Sequence, residues 1–122
     1  MSTACGVATI KVYQEEGLIE NCQKIGQVLG GELERIKRDH RGVGDVRYIG
    51  LFSVLEMVED KASRQPLREA VMGKIKSELL SRGLFTFVNH NLIFVCPPLC
   101  INQDELMAGL EIIEGVLDTC QV

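Results

Sequence analysis

The side chains able to do chemistry in this 122-residue chain are few and scattered. Its two histidines, His40 and His90, both fall in polar turns between apolar segments. Imidazole titrates near neutral pH and serves as a general base. A base needs a nucleophile to activate, and no serine or cysteine is placed beside either ring by the sequence. Both are expected to be surface turn residues. Cys96 and Cys100 lie four apart, with His90 upstream as a third possible metal ligand. Pro97-Pro98 holds the two cysteines in extended chain, and no second ligand pair completes a tetrahedral set. Buried structural thiols and no metal are the expectation there.

The charged candidates have equally plain readings. Asp45 and Arg47 are two apart in an extended stretch and so share one strand face. An arginine there could hold an acidic ligand, but a surface ion pair is the expected outcome. Glu56 and Glu59-Asp60 could divide acid–base work between them. A solvated loop before a helix start is expected, where the helix dipole favours negative charge. Gly42-Val43-Gly44 resembles a fragment of a phosphate loop. It lacks the remaining glycines and runs into a strand where a helix is required. The residues alone therefore nominate no catalytic or cofactor-binding group.

The elements that must position these residues are clearer. Thr3 to Glu16 is expected to be helical, with Val7 and Ile10 on one face and Gly17 as a left-handed end. Leu18, Cys22, Ile25, Leu29, Leu33 and Ile36 recur at spacings of three and four and predict a long amphipathic helix. Gly26, Gly30 and Gly31 weaken it by up to about 1 kcal/mol each, which is best tolerated where a neighbour packs closely. After the turn His40-Arg41-Gly42, residues Val43 to Val58 read as extended, with Gly50 marking a bulge or a close backbone neighbour. Pro66 suits the first turn of a helix whose inner face carries Leu67, Val71, Ile75 and Leu79. Gly83 ends that helix. Leu84 to Val88 and Leu92 to Cys96 form a hairpin around Asn89-His90-Asn91. Pro97-Pro98 stops the second strand, and Asn102 with Glu105 starts the last helix as a capping box. Leu106, Leu110, Ile113, Leu117 and Cys120 form its buried stripe.

This order predicts one α+β domain over residues 1–122, a small, mostly antiparallel sheet with helices packed on it. Residues 1–17 are a helix able to pack on a partner. A formal charge of -4 and a pI near 5.2 argue against nucleic acid or an anionic membrane as the main partner. No apolar run approaches the roughly 20 residues a membrane span needs. The first residues lack the basic start and apolar core of a signal peptide. Five cysteines, an odd number, point to reduced, buried thiols and a cytoplasmic location.

Three stretches together resemble the C-terminal small domain of the class III pyridoxal-phosphate aminotransferases. Ser2 to Ile10 resembles that family's small-residue helix, and Glu15-Glu16-Gly17-Leu18-Ile19-Glu20-Asn21 its acidic turn. Val43-Gly44-Asp45-Val46-Arg47-Tyr48-Ile49-Gly50-Leu51-Phe52, continuing through Leu55-Glu56-Met57-Val58 to Lys61 and Gln65-Pro66-Leu67, resembles its central strand and charged loop. Asn91 to Leu106, with the double proline, resembles its last strand and helix start. Ile49-Gly50-Leu51-Phe52 looks closest to the ω-amino-acid and taurine–pyruvate members. The resemblance spans essentially the whole chain.

Family members hold pyridoxal phosphate on a lysine of a large domain, helped by a partner subunit. The six lysines here, Lys11, Lys24, Lys37, Lys61, Lys74 and Lys76, match no such motif. The resemblance thus implies a truncated small domain with no cofactor-binding or catalytic residue of its own, expected to be inactive alone. In a full enzyme it would shape the substrate entrance for amino-group transfer to a keto acid. Many relatives carry a carboxylate-binding arginine on the strand before the double proline; this chain has Phe94, the one position implied to lie near substrate. Implied partners are a large-domain chain, completed in trans, or a second copy. The alternative is a stand-alone binding or oligomerisation module, with Val7, Ile10 and Val12 as its exposed apolar face.

Overall fold

The protein is described by a computed structural model covering residues 2–122. Helix α1 (Ser2–Glu15) leads through Gly17, at φ +60°, into helix α2 (Leu18–Asp39). The expected stripe on α2 is real: Leu18, Ile25, Leu29, Leu33 and Ile36 are buried. Two of its glycines have the close neighbour that excuses them. A methyl added at Gly26 would sit 2.6 Å from the Gly50 carbonyl carbon, and one at Gly30 would strike the Tyr48 ring. Gly31 meets nothing within 4 Å.

Strands β1 (Val43–Ile49) and β2 (Phe52–Asp60) form an antiparallel hairpin. The single extended run expected over 43–58 is corrected: the chain reverses at Gly50-Leu51, with Gly50 at φ +54°. Gly50 does have the close backbone neighbour, Gly26, but the bulge lies instead at Gly44, between Val43 and Asp45. Pro66 does not open a helix. It belongs to β3 (Gln65–Pro66), opposite Val58, and helix α3 (Glu69–Ser81) begins after Arg68. A two-residue edge pairing leaves room for a residue with no N–H to donate.

Strand β4 (Val88–Asn89) is shorter than expected, and β5 (Leu92–Val95) pairs with it across the turn His90-Asn91. Leu84 to Phe87 stays irregular, because the Thr86 hydroxyl takes the Phe94 carbonyl that a ladder N–H would otherwise use. Helix α4 (Gln103–Cys120) starts at the expected capping box. The Asn102 Oδ1 accepts from the Glu105 N–H at 2.9 Å, and the Asn102 N–H donates to Glu105 Oε2 at 3.1 Å.

The sheet runs β1-β2-β5-β4, with β3 beside β2, and every pairing is antiparallel. One core joins it to the helices: Val46, Leu55, Met57 and Ile93 meet Leu29, Leu33, Met72, Ile75, Leu110 and Ile113. Met72 and Val116 are buried additions to the expected stripes. Strand residues alternate faces, so Ile49, Phe52 and Phe94 point away from that core. Helix α1 is different again. Residues 3–16 are exposed all round, Val7, Ile10, Val12 and Tyr13 included. Among the described residues, no helix is long and apolar enough to cross a membrane.

Candidate functional site

The register of β2 against β5 sets Val54 opposite Phe94 and Ser53 opposite Val95. Ser53 and Ile93 face the core, so their neighbours Phe52 and Phe94 emerge on the open side. Phe94 stands between two other rings: Phe52 at 6.3 Å and 66°, and Phe87 at 5.2 Å and 52°. Such tilted and edge-on pairs set the positive rim of one ring against the negative face of another. With Phe85, Thr86 and Cys96 these rings line a recess of about 450 Å³. A cleft of about 270 Å³ adjoins it, sharing Phe85, Thr86 and Cys96 and continuing along Pro97, Pro98 and the start of α4.

The recess is braced from behind. The buried Ser53 hydroxyl donates to the Val95 carbonyl at 2.8 Å, the Phe94 N–H to the Phe87 carbonyl at 2.9 Å, and the Thr86 hydroxyl to the Phe94 carbonyl. None of the six lining side chains is charged. Chemically it can hold an apolar or aromatic group; it has no acid, base or cation with which to act on one. Along the same cross-strand row, Arg47 pairs with Val54, which pairs with Phe94. The Arg47 guanidinium is already occupied by Glu56 at 2.8 Å and Asp45 at 3.6 Å.

Phe94 is the recess residue the sequence singled out; the rings beside it were not. Phe85-Thr86-Phe87 carried a signal in its alternation of ring, hydroxyl and ring. Phe52 could be placed only through strand register.

The other candidates do not converge. Asp45 accepts from the Lys37 ammonium at 2.8 Å, which holds the carboxyl below its usual range and Lys37 above its own. Glu56 belongs to Arg47, and Glu59 to Arg68 at 2.8 Å just before α3. Asp60 accepts from the Ser63 N–H at 2.7 Å, which lowers its pKa. The expected solvated loop is corrected: Glu56, Glu59 and Asp60 lie on β2 and make three separate contacts. Gly42 and Gly44 are packing glycines, pressed by Val122 and the Val58 side chain. His90 is an exposed turn residue at φ +50°.

Two expectations are corrected. His40 is buried, at 8% exposure, because α4 folds over the turn that carries it. Its Nε2 lies 3.6 Å from Glu114 and its Nδ1 3.4 Å from the Val122 carbonyl. The cysteines are free, but none is buried: Cys5, Cys96 and Cys100 are exposed, and Cys22 and Cys120 half-buried. Cys96 and Cys100 flank the double proline, beyond the end of β5. Among the described residues, no three His, Cys, Asp or Glu side chains group to hold a metal.

One polar network was not legible. Arg35 grips Glu114 with two bonds, Nη1 to Oε1 at 2.8 Å and Nη2 to Oε2 at 2.6 Å, while its Nε donates to Glu32 at 2.8 Å. This fork ties α2 to α4, holds the Glu114 carboxyl below its ordinary pKa and raises that of Arg35. Only the Glu32–Arg35 spacing of three marked it in the sequence.

Comparison with known proteins bears on the whole of this architecture. The family model for "Aminotransferase class-III" matches residues 1–117. Taurine--pyruvate aminotransferase of Bilophila wadsworthia is 31% identical over 118 residues, covering 88% of this chain and 26% of that protein. Human mitochondrial alanine--glyoxylate aminotransferase 2 is 32% identical over 122 residues, covering 96% of this chain and 23% of that protein. The crystal structure of taurine:2-oxoglutarate aminotransferase from Bifidobacterium kashiwanohense, in complex with PLP and glutamate, superposes with a TM-score of 0.89. It is 32% identical, and the match covers 97% of this chain and 28% of that one. The chain thus spans about a quarter of the length of the relatives it matches.

Proposed function

From the premise that this chain belongs to the class III aminotransferases, we propose that it is the small domain of such an enzyme and that its open sheet face borders the substrate entrance. The observation that carries this is the ring recess around Phe94, exposed on the one sheet face that no helix covers. In a complete enzyme that face would close over the reacting centre, exclude water and position the amino substrate for transfer to a keto acid. Phe94, with Phe52 and Phe87 beside it, would contact the substrate end remote from the chemistry.

Pyridoxal phosphate supplies the electron sink in this family. The residues of the recess do not fit it on their own: no lysine amine lines the rings, and no cation is there for a phosphate. No chemical step is therefore assigned to this chain, and alone it is expected to be inactive. The test is to mix the pure chain with pyridoxal phosphate, reduce with borohydride and weigh the product. A stoichiometric adduct at one lysine would overturn the reading; an unmodified mass is expected. The five free thiols suit a reducing compartment such as the cytoplasm.

A second reading is favoured by α1. A helix of 14 residues exposed on every side has little to hold it in water, since isolated helices shorter than about 12–15 residues are marginal. Val7, Ile10, Val12 and Tyr13 would gain from a partner surface. The chain would then act as a binding or oligomerisation module. Light scattering separates the two, because a strictly monomeric, well-folded chain counts against self-association.

A further inference from the structure

We propose that the recess of Phe52, Phe87 and Phe94 selects an amino substrate whose remote end is an uncharged ring or alkyl group, and rejects one ending in carboxylate or sulfonate. This rests on the small-domain reading above and adds a substrate class to it.

Three features of the recess carry the inference. Its volume of about 450 Å³ falls within the range of about 300–1,000 Å³ typical of small-molecule pockets. Its walls are four rings, a hydroxyl and a thiol. An aromatic face carries negative charge density, so stacked or inserted rings are attracted edge to face while an anion is repelled. A sulfur at the rim adds a further favourable contact to a ring.

Nothing nearby offsets the cost of desolvating an anion. The Thr86 hydroxyl already donates to the Phe94 carbonyl and is not free for a carboxylate. The Cys96 thiol is only a weak donor and lies 4.0 Å from the Ser53 carbonyl. Arg47, the cation on the same cross-strand row, sits beyond Val54 and is neutralised by Glu56 and Asp45. Freeing it would leave Glu56 unpaired. An uncharged end group meets none of these penalties.

The rings also differ in how they can serve. Phe94 is fixed on a paired strand and half-buried, so it forms the floor. Phe87 and Phe85, 62% and 85% exposed, stand on the irregular segment and form an adjustable wall. Selectivity between ring sizes would come from that wall, and rejection of anions from the floor.

The test uses the full chain, isotope-labelled, with backbone and methyl resonances followed as ligand is added. Benzylamine is the ring-bearing probe and taurine the anionic one. Benzylamine is expected to shift the Thr86, Phe87 and Phe94 amides and the Val54 methyls, and taurine to leave them in place. Phe87→Ala should weaken benzylamine by about fivefold. Phe94→Arg should reverse the preference, so that taurine moves the same resonances. If Phe94→Arg does not fold, Phe87→Ala carries the test, since that ring is mostly exposed. Equal shifts from both probes, or an unchanged benzylamine affinity in Phe87→Ala, would overturn the proposal. So would ligand-free, concentration-dependent broadening of these resonances, which would place a second copy on the rings. The borohydride experiment reads the small-domain assignment independently. A lysine adduct removes that assignment whatever the recess binds, and a recess indifferent to benzylamine removes this inference alone.

Discussion

The same three strands present two different surfaces. Toward the helices, Leu55, Met57 and Ile93 are fully buried among α2, α3 and α4. On the reverse, Ile49 is 79% and Phe52 55% exposed. Both surfaces carry apolar side chains, but the first contributes far more stability, because burial and not hydrophobicity removes area from water. Apolar side chains on the open face are therefore available for contact with something else. The division has a physical origin in the period of two along a strand, which sends neighbours such as Leu55 and Val54 to opposite sides.

The comparison can be broken most sharply by truncating one residue from each side. Leu55→Ala should cost about 2–5 kcal/mol in denaturant unfolding, through lost burial and the cavity left behind. Phe52→Ala should stay within about 1 kcal/mol, since it loses mainly an edge contact to Phe94. Equal losses would mean that the open face is part of the folding core.

A smaller effect separates two glycines of α2. Gly26→Ala drives a methyl to 2.6 Å from the Gly50 backbone and should cost about 1–3 kcal/mol. Gly31→Ala meets nothing within 4 Å and should stabilise by up to about 1 kcal/mol. Thermal unfolding of the two variants checks the opposite signs.

The smallest effect concerns the helix side alone. Arg35 lowers the Glu114 pKa in the folded state, so this pair contributes stability above the ordinary glutamate value. That contribution is lost as pH falls through the lowered folded value, when the carboxylate takes up a proton. Glu114→Gln should flatten this acid limb and cost about 1 kcal/mol or less at neutral pH, since both partners are partly solvated. An unchanged acid limb would show that the fork does not couple α2 to α4.

Sequence periodicity reached the helix side and stopped at the open one. The α2 stripe, the Gly17 turn and the Asn102 box were legible because each is local: its signal lies within four residues of its partner. The class III resemblance was legible for a related reason, as its motifs mark turns and element ends. What failed was long-range. Burial of His40 depends on α4, whose Glu114 lies 74 residues away, and the Arg35–Glu114 fork spans 79. The Gly50 turn was missed because a continuous apolar run conceals a reversal whose only local mark is one glycine. Pro66 was misplaced because helix starts and edge strands both tolerate a missing N–H.

The contact between Gly26 and Gly50 has a mechanical consequence. With no side chain on either residue, backbone rests on backbone where α2 meets the β1–β2 turn. Phe52 follows two residues after Gly50, so the ring wall is referenced directly to the axis of a 22-residue lever. The compliant joint would lie at Gly17, where the left-handed backbone turn separates α2 from the unsupported α1.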